Sequence, residues 1–204
     1  MIEDILSKRQ QTKGYHPLRI PDKKLAENLI SKTFKLTASK QNLMPYKVHV
    51  LGPDKKELKK EFFKIVQHQK GGSYNMNVEQ APYCLIFTIR LVTNPDTIIN
   101  KRIKKGHSYE VCDPNKYHKQ KSGASLEVGM FAKVLTSLVL EQGMDVSYTG
   151  CFPDYESNEN LYKNLSFIDD LVLFSMQFGY RFSDYAFTKE KEKKPSIDEV
   201  INWV

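Results

Sequence analysis

Cysteine is scarce in this chain, and the three that occur, Cys84, Cys112 and Cys151, form no CxxC pair. An odd, scattered set argues against a disulfide framework and favours a reducing, cytoplasmic setting. The opening residues, MIEDILSKRQ, lack the apolar stretch of a secretory leader. No run is expected to reach the roughly 20 apolar residues of a membrane span. GxGxxG and GxxxxGK[ST] are both missing, which removes the Rossmann fingerprint and the P-loop. The GxSxG of a nucleophile elbow is missing too. His107, Cys112, Asp113 and His118 lie close together, but their spacing fits no zinc pattern, so no metal is expected. Cys151 has no base beside it in sequence and reads as a half-buried thiol rather than a nucleophile. No internal repeat is present, and only the lysines of 189–194 approach low complexity.

What is present is bulk and positive charge. Eleven Phe and eleven Tyr in 204 residues supply a real core, enough for one domain spanning 1–204. Lys and Arg number 31 against 24 Asp and Glu, a formal charge of +7. Such an excess suits a solvated surface or an anionic ligand such as a phosphate-bearing cofactor. The basic residues are dispersed among acidic ones, without the aromatic interleaving that single-strand binders use, so no nucleic-acid partner is expected.

Periodicity predicts a short helix over 2–9, and a second running from Pro21-Asp22 to Leu36. The apolar side of the second is read as Leu25, Leu29, Ile30, Phe34 and Leu36. KVHVL alternates as a strand, a Lys/Glu-rich helix follows over 54–69, and Gly71-Gly72 closes it. The near-continuous apolar run of 82–91 reads as a central strand covered on both faces. Residues 93–122 are polar and irregular, a candidate lid or excursion. A central helix is predicted over 122–142, with Glu127 closing a capping box. Strands over 145–152 and 169–180 and a small helix over 158–164 complete the pattern. The apolar ending of 195–204, with Trp203, reads as an arm. Helices first, then alternating strands and helices, imply a three-layer or α+β arrangement around one sheet.

Four separated segments carry chemistry in order. The first is Arg9-Gln10-Gln11-Thr12-Lys13-Gly14-Tyr15. The second is the loop Ala38-Ser39-Lys40-Gln41-Asn42-Leu43-Met44-Pro45-Tyr46. The third is the central helix from Ser125 with the strand leading to Thr149, Gly150 and Cys151. The fourth is Lys191-Glu192-Lys193-Lys194-Pro195. Read singly, they are a helix end, a turn-rich loop, a core helix with its strand, and a solvated charge run. Together they resemble the FMN-dependent nitroreductase family across nearly the whole chain, as a divergent member. Gln11 stands where the family has Ser; Ala38, Met44 and Tyr46 stand for Pro, Gln and Trp, and lysines replace arginine in the tail. The resemblance also implies the fold, an α+β three-layer α/β/α sandwich whose mixed, mainly antiparallel sheet is flanked by helices.

The resemblance implies a cofactor, FMN, and its contacts. Arg9, with Gln10 and Gln11, would hold the phosphate, and Lys13 would lie near the pyrimidine edge and ribityl chain. Ser39, Lys40 and Asn42 would reach the flavin bound mainly by the other subunit of a homodimer. Asn77 would meet the ring's polar edge. Thr149, Gly150 and Cys151 would present backbone to N5, and Lys191, Lys193 and Lys194 would complete the phosphate site. The implied activity is ping-pong hydride transfer from NADH or NADPH to a nitroaromatic, quinone or similar small acceptor, with the flavin doing the chemistry and no catalytic side chain required. Tyr109, Tyr117 and His118 would line the lid. Two other readings keep the residues: the same fold with weak FMN binding or another flavin reaction, and a non-enzymatic basic binding module.

Overall fold

The computed structural model describes residues 2–7, 9, 11–69, 78–90, 97–108, 121–150, 152–182 and 195–202. Its helices are α1 (Ile2–Ser7), α2 (Lys23–Leu36), α3 (Lys56–Gln69), α4 (Thr97–Lys104), α5 (Lys121–Glu141), α6 (Glu159–Tyr162) and α7 (Ile197–Val200). Its strands are β1 (Tyr46–Leu51), β2 (Tyr83–Ile89), β3 (Asp145–Thr149) and β4 (Val172–Gly179). The strands form one sheet in the order β1-β2-β4-β3, with every neighbouring pair antiparallel. An isolated parallel bridge between Gln11 and Val146 lays the N-terminal segment along the outer side of β3.

Alternation decides which face each strand residue serves. On β2, Tyr83, Leu85 and Phe87 point into a core shared with α2 and α5, while Cys84 and Ile86 join a second core beneath α3. Both sides are dry, so the strand reads as one apolar run and its first six residues are buried. The first core centres on Phe87, whose ring meets Phe131 of α5 at 5.5 Å and Phe174 of β4 at 6.0 Å. Phe62, Ile65 and Val66 of α3 fill the second core with Leu165 and Tyr162. This is the three-layer α+β arrangement expected.

Asp22 caps α2, accepting from the Lys24 N–H at 2.8 Å and the Leu25 N–H at 3.3 Å. Such a cap contributes about 1 kcal/mol. Ala26, Leu29 and Thr33 form the buried stripe. Phe34 and Leu36, expected inside, are instead 55% and 59% exposed: the buried stripe runs through Thr33, so Phe34 turns about 100° away from it, and Leu36 is the last residue of the helix. The α5 helix ends at Gly143, whose φ of +67° is the left-handed value a helix stop favours. A Cβ on Gly179 would sit 2.7 Å from the Pro82 ring, so β4 can pass that ring only as glycine.

Three expectations need correction. The 93–122 region is not irregular throughout, since α4 occupies eight of its residues. Glu127 makes no capping box; its side chain bonds a loop 87 residues away. Length and apolarity over Gly123–Glu141 do reach the membrane-span threshold, contrary to the sequence reading. That apolarity has a packing cause, since Val128, Phe131, Leu135 and Val139 are buried against the sheet. Of the site residues expected from sequence, Gln10, Asn77, Cys151, Lys191, Lys193 and Lys194 lie outside the described residues, as do Gly71, Gly72, Tyr109, Cys112, Asp113, Tyr117, His118 and Trp203.

Candidate cofactor site

The 9–15 segment is fixed by its neighbours rather than by its own conformation. The Thr12 N–H donates to the Val146 carbonyl at 3.1 Å, and the His16 N–H to Tyr180 at 2.8 Å. Inside, the Tyr15 hydroxyl shares a 2.7 Å bond with Ser147 Oγ. Ser147 donates onward to Gln177 Oε1 at 3.0 Å, and Gln177 Nε2 donates to Ser175 Oγ at 2.8 Å and Cys84 Sγ at 3.6 Å. Burial raises the Tyr15 phenol above its ordinary value and pushes the Cys84 thiol up to about 12. Neither ionises near neutrality, so this network is a neutral staple and Cys84 is no nucleophile.

Anchored this way, the segment presents Arg9 and Gln11 to the outer end of β3. Gln11 Nε2 donates to the Tyr148 carbonyl at 2.9 Å. The Arg9 guanidinium stands 5.3 Å from the centre of the Tyr148 ring. Thr136 Oγ1 gives its single proton to the Ala132 carbonyl, so the Tyr148 hydroxyl is the donor in its bond to Thr136. That bond holds the ring in place beneath Arg9. One terminal nitrogen of Arg9, Nη1, is buried without any hydrogen-bond partner among the described residues. A buried donor in that state costs about 1–3 kcal/mol, more when charged. It is the kind of group an anion satisfies with little rearrangement.

Beyond Tyr148, Thr149 is buried and Gly150 exposed. A Cβ on Gly150 would meet nothing within 4 Å. Among the described residues nothing therefore calls for glycine there, and the backbone is open to close approach from them. Lys13 is half-buried on the same segment.

The 39–45 loop is built differently. Asn42 and Met44 adopt left-handed φ values of 56° and 45°. Ser39 Oγ accepts from the Met44 N–H at 2.9 Å. Arg90, just past β2, donates through Nε to the Met44 carbonyl at 2.9 Å and through Nη2 to the Leu43 carbonyl. The Lys40 N–H donates to Glu127 Oε1 at 3.1 Å. Glu127 is only 3% exposed, and its second oxygen, Oε2, has no partner among the described residues. Burial, and then the Glu127 charge, push the neighbouring Tyr46 phenol up to about 12.

The structure thus brings Arg9 and Gln11 together with Tyr148 and the adjacent Thr149 and Gly150. Ser39, Lys40 and Asn42 form a second group, tied to Met44 and Glu127. Sequence reasoning missed Arg90 and the true partner of Glu127. The signals were an arginine ending an apolar strand and a carboxylate on the otherwise apolar stripe of Ala124, Val128 and Phe131. Three cavities, of about 340, 440 and 450 Å³, lie elsewhere: none is lined by Arg9, Gln11, Lys13, Ser39, Lys40, Asn42, Thr149 or Gly150.

No protein-family model matches the chain, and no curated protein sequence does. Solved structures do. A candidate NAD(P)H:FMN oxidoreductase from Staphylococcus epidermidis superposes with a TM-score of 0.72 at 16% identity, over 100% of this chain and 96% of that one. A nitroreductase-like protein from Streptococcus mutans gives 0.71 at 16% identity, with both chains fully covered. A candidate nitroreductase from Exiguobacterium sibiricum, solved in complex with FMN, gives 0.69 at 15% identity over 100% and 97%. At such identities the likeness establishes architecture: the chain has the nitroreductase-like α+β fold.

Proposed function

We propose that this chain is a flavoprotein oxidoreductase that binds FMN and moves reducing equivalents from NADH or NADPH to a small acceptor such as a nitroaromatic or quinone. The observation that carries the reading is the buried, unpartnered Nη1 of Arg9, held over Tyr148 beside an open Gly150 backbone. The residues suit the cofactor. An arginine with an unmet donor fits a terminal phosphate, and Lys13 adds positive charge on the same segment. Lys191, Lys193 and Lys194 are proposed as further phosphate contacts, and Gln10 as a neighbour of Arg9. Thr149, Gly150 and Cys151 supply backbone, and Asn77 a polar side chain, to the ring.

The redox chemistry, hydride acceptance and release at N5, belongs to the flavin when bound. The protein's part is to hold, orient and exclude. Tyr148, fixed by Thr136, supports Arg9, and the Tyr15 staple keeps the whole segment in register. Within one chain the 9–13 and 39–42 groups have separate supports. A homodimer in which the Ser39, Lys40 and Asn42 loop serves the site of the other copy unites them, and the 195–204 arm is proposed to pack across that contact.

The test is an absorbance spectrum after incubation with FMN and desalting. Retained flavin bands, bleached by anaerobic NADH or NADPH, are expected. Arg9→Ala should weaken FMN binding by about tenfold or more, equivalent to roughly 1.4 kcal/mol, with the fold intact by circular dichroism. Unchanged flavin affinity in that variant removes Arg9 from the phosphate site, and no retained flavin in the native protein removes the reading itself.

A further inference from the structure

A cavity of about 340 Å³ opens between the N-terminal segment, the start of α3 and the approach to β2. It has the volume of a small-ligand pocket. Among the described residues none of the flavin-directed ones lines it, so its chemistry is argued separately from the flavin reading. Its wall includes Pro17, Pro82 and Phe182, an apolar and conformationally stiff surface. Its polar groups are His16, Lys56, Lys59 and Glu79, with Gln80 beside them.

The donors outweigh the acceptors. Lys59 is 2% exposed, and its ammonium donates to the carbonyls of Ala81 at 2.6 Å and Pro82 at 3.3 Å. An ammonium carries three protons, so one remains after those two bonds. Lys56 lies three residues earlier, on the same face of α3. His16 Nδ1 accepts from the backbone N–H groups of Leu18 at 3.2 Å and Arg19 at 3.0 Å. Two donors on Nδ1 leave the ring proton on Nε2, which makes the other edge of His16 a donor. The positive end of the α3 backbone dipole adds to the same field. Among the described lining residues Glu79 is the one carboxylate. Burial lowers Lys59 below its ordinary lysine value, with Lys56 acting the same way and Asp54 and Glu79 opposing it. A bound anion would favour the charged amine in the same manner as those two carboxylates.

We propose that this cavity is a binding site for a small organic carboxylate, with the carboxylate held by Lys56, Lys59 and His16 and the apolar body against Pro17, Pro82 and Phe182. The probe is benzoate, titrated calorimetrically into the full chain, with benzamide as its uncharged match. Saturable binding of benzoate, about tenfold tighter than benzamide, is expected, as the loss of a charge-assisted contact commonly costs. Lys59→Met strips two carbonyls of their donor and risks the fold, so Lys56→Gln and His16→Gln carry the test. Each should weaken benzoate several-fold, and Lys56→Gln should do so while leaving the melting temperature and FMN retention unchanged. Absence of saturable benzoate binding overturns the proposal. So does equal binding of benzamide, or benzoate affinity indifferent to both substitutions, which would locate the anion elsewhere.

Discussion

The 9–16 segment and the 39–45 loop, which holds a single 3-10 turn over Lys40–Asn42, both lie next to β-strands, yet they are held by opposite means. The first borrows the sheet: backbone bonds to Val146 and Tyr180 set its path, and the neutral chain Tyr15-Ser147-Gln177-Ser175 pins it from inside. The second borrows charge: Arg90 collects the Leu43 and Met44 carbonyls, and Glu127 takes the Lys40 N–H. Neutral bonds inside the sheet give a rigid register with small individual energies. Charged anchors give larger energies at fewer points. The difference also shows in what is left over. Each region keeps a buried, chargeable group with an atom unpaired among the described residues, Arg9 Nη1 on the first, where the neutral Thr12 Oγ1 is unpaired as well, and Glu127 Oε2 on the second. These have opposite sign, so the first region is suited to an anion and the second to a hydrogen-bond donor.

The largest effect should come from removing the charged anchor. Arg90→Ala leaves the Leu43 and Met44 carbonyls without their donor and should cost about 2–3 kcal/mol in urea unfolding, the range for bonds to charged groups. A loss below about 0.5 kcal/mol would mean the left-handed loop is shaped by Ser39 and Pro45 without Arg90, and charge would not be what holds the second region. Tyr15→Phe tests the neutral side. It deletes one hydroxyl from a fully buried chain and leaves Ser147 with Gln177, so about 1–2 kcal/mol should be lost. Native-state hydrogen exchange should then rise at Thr12 and His16, whose N–H groups bond Val146 and Tyr180, and not at Met44. Faster exchange at Met44 as well would show that the two regions share one cooperative unit.

These anchors divide what sequence could reveal from what it could not. The Asp22 cap was legible because it acts over two and three residues. The β2 run was legible because burial on both faces leaves no polar interruption. Of the four segments singled out in the sequence, the structure brings the first beside the third. Long-range polar partners were not legible. Gln11 meets a carbonyl 137 residues away, Arg90 one 46 away, and Glu127 an N–H 87 away. For Glu127 the local pattern misled, since a carboxylate near a helix start matches a capping box whatever lies opposite it. The α4 helix escaped notice because TIINKRIK carries three basic residues in its last turn and sits in a polar, Pro- and Gly-punctuated stretch. Phe34 and Leu36 were assigned inward because apolarity alone does not choose between the core and a groove such as the one Phe34 lines with Met44 and Tyr46.

The smallest stability effect should be the one that best separates shape from chemistry in the loop. Asn42 has a left-handed φ of 56° and an exposed side chain. Glycine adopts that conformation without strain but loses more freedom on folding, and the two effects nearly cancel, so Asn42→Gly should change stability by no more than about 0.5 kcal/mol. Its loop should keep the bonds from Arg90 and Ser39, because both run to the backbone of residues 43 and 44. Flavin retention is where the variant should show itself. An amide side chain touching the cofactor is worth a several-fold loss of FMN affinity when removed, of the order of 1 kcal/mol. FMN retained at native affinity, with stability also unchanged, would mean that Asn42 supplies only the turn. Any contribution of the loop to the proposed flavin site would then rest on Ser39, Lys40 and its own backbone.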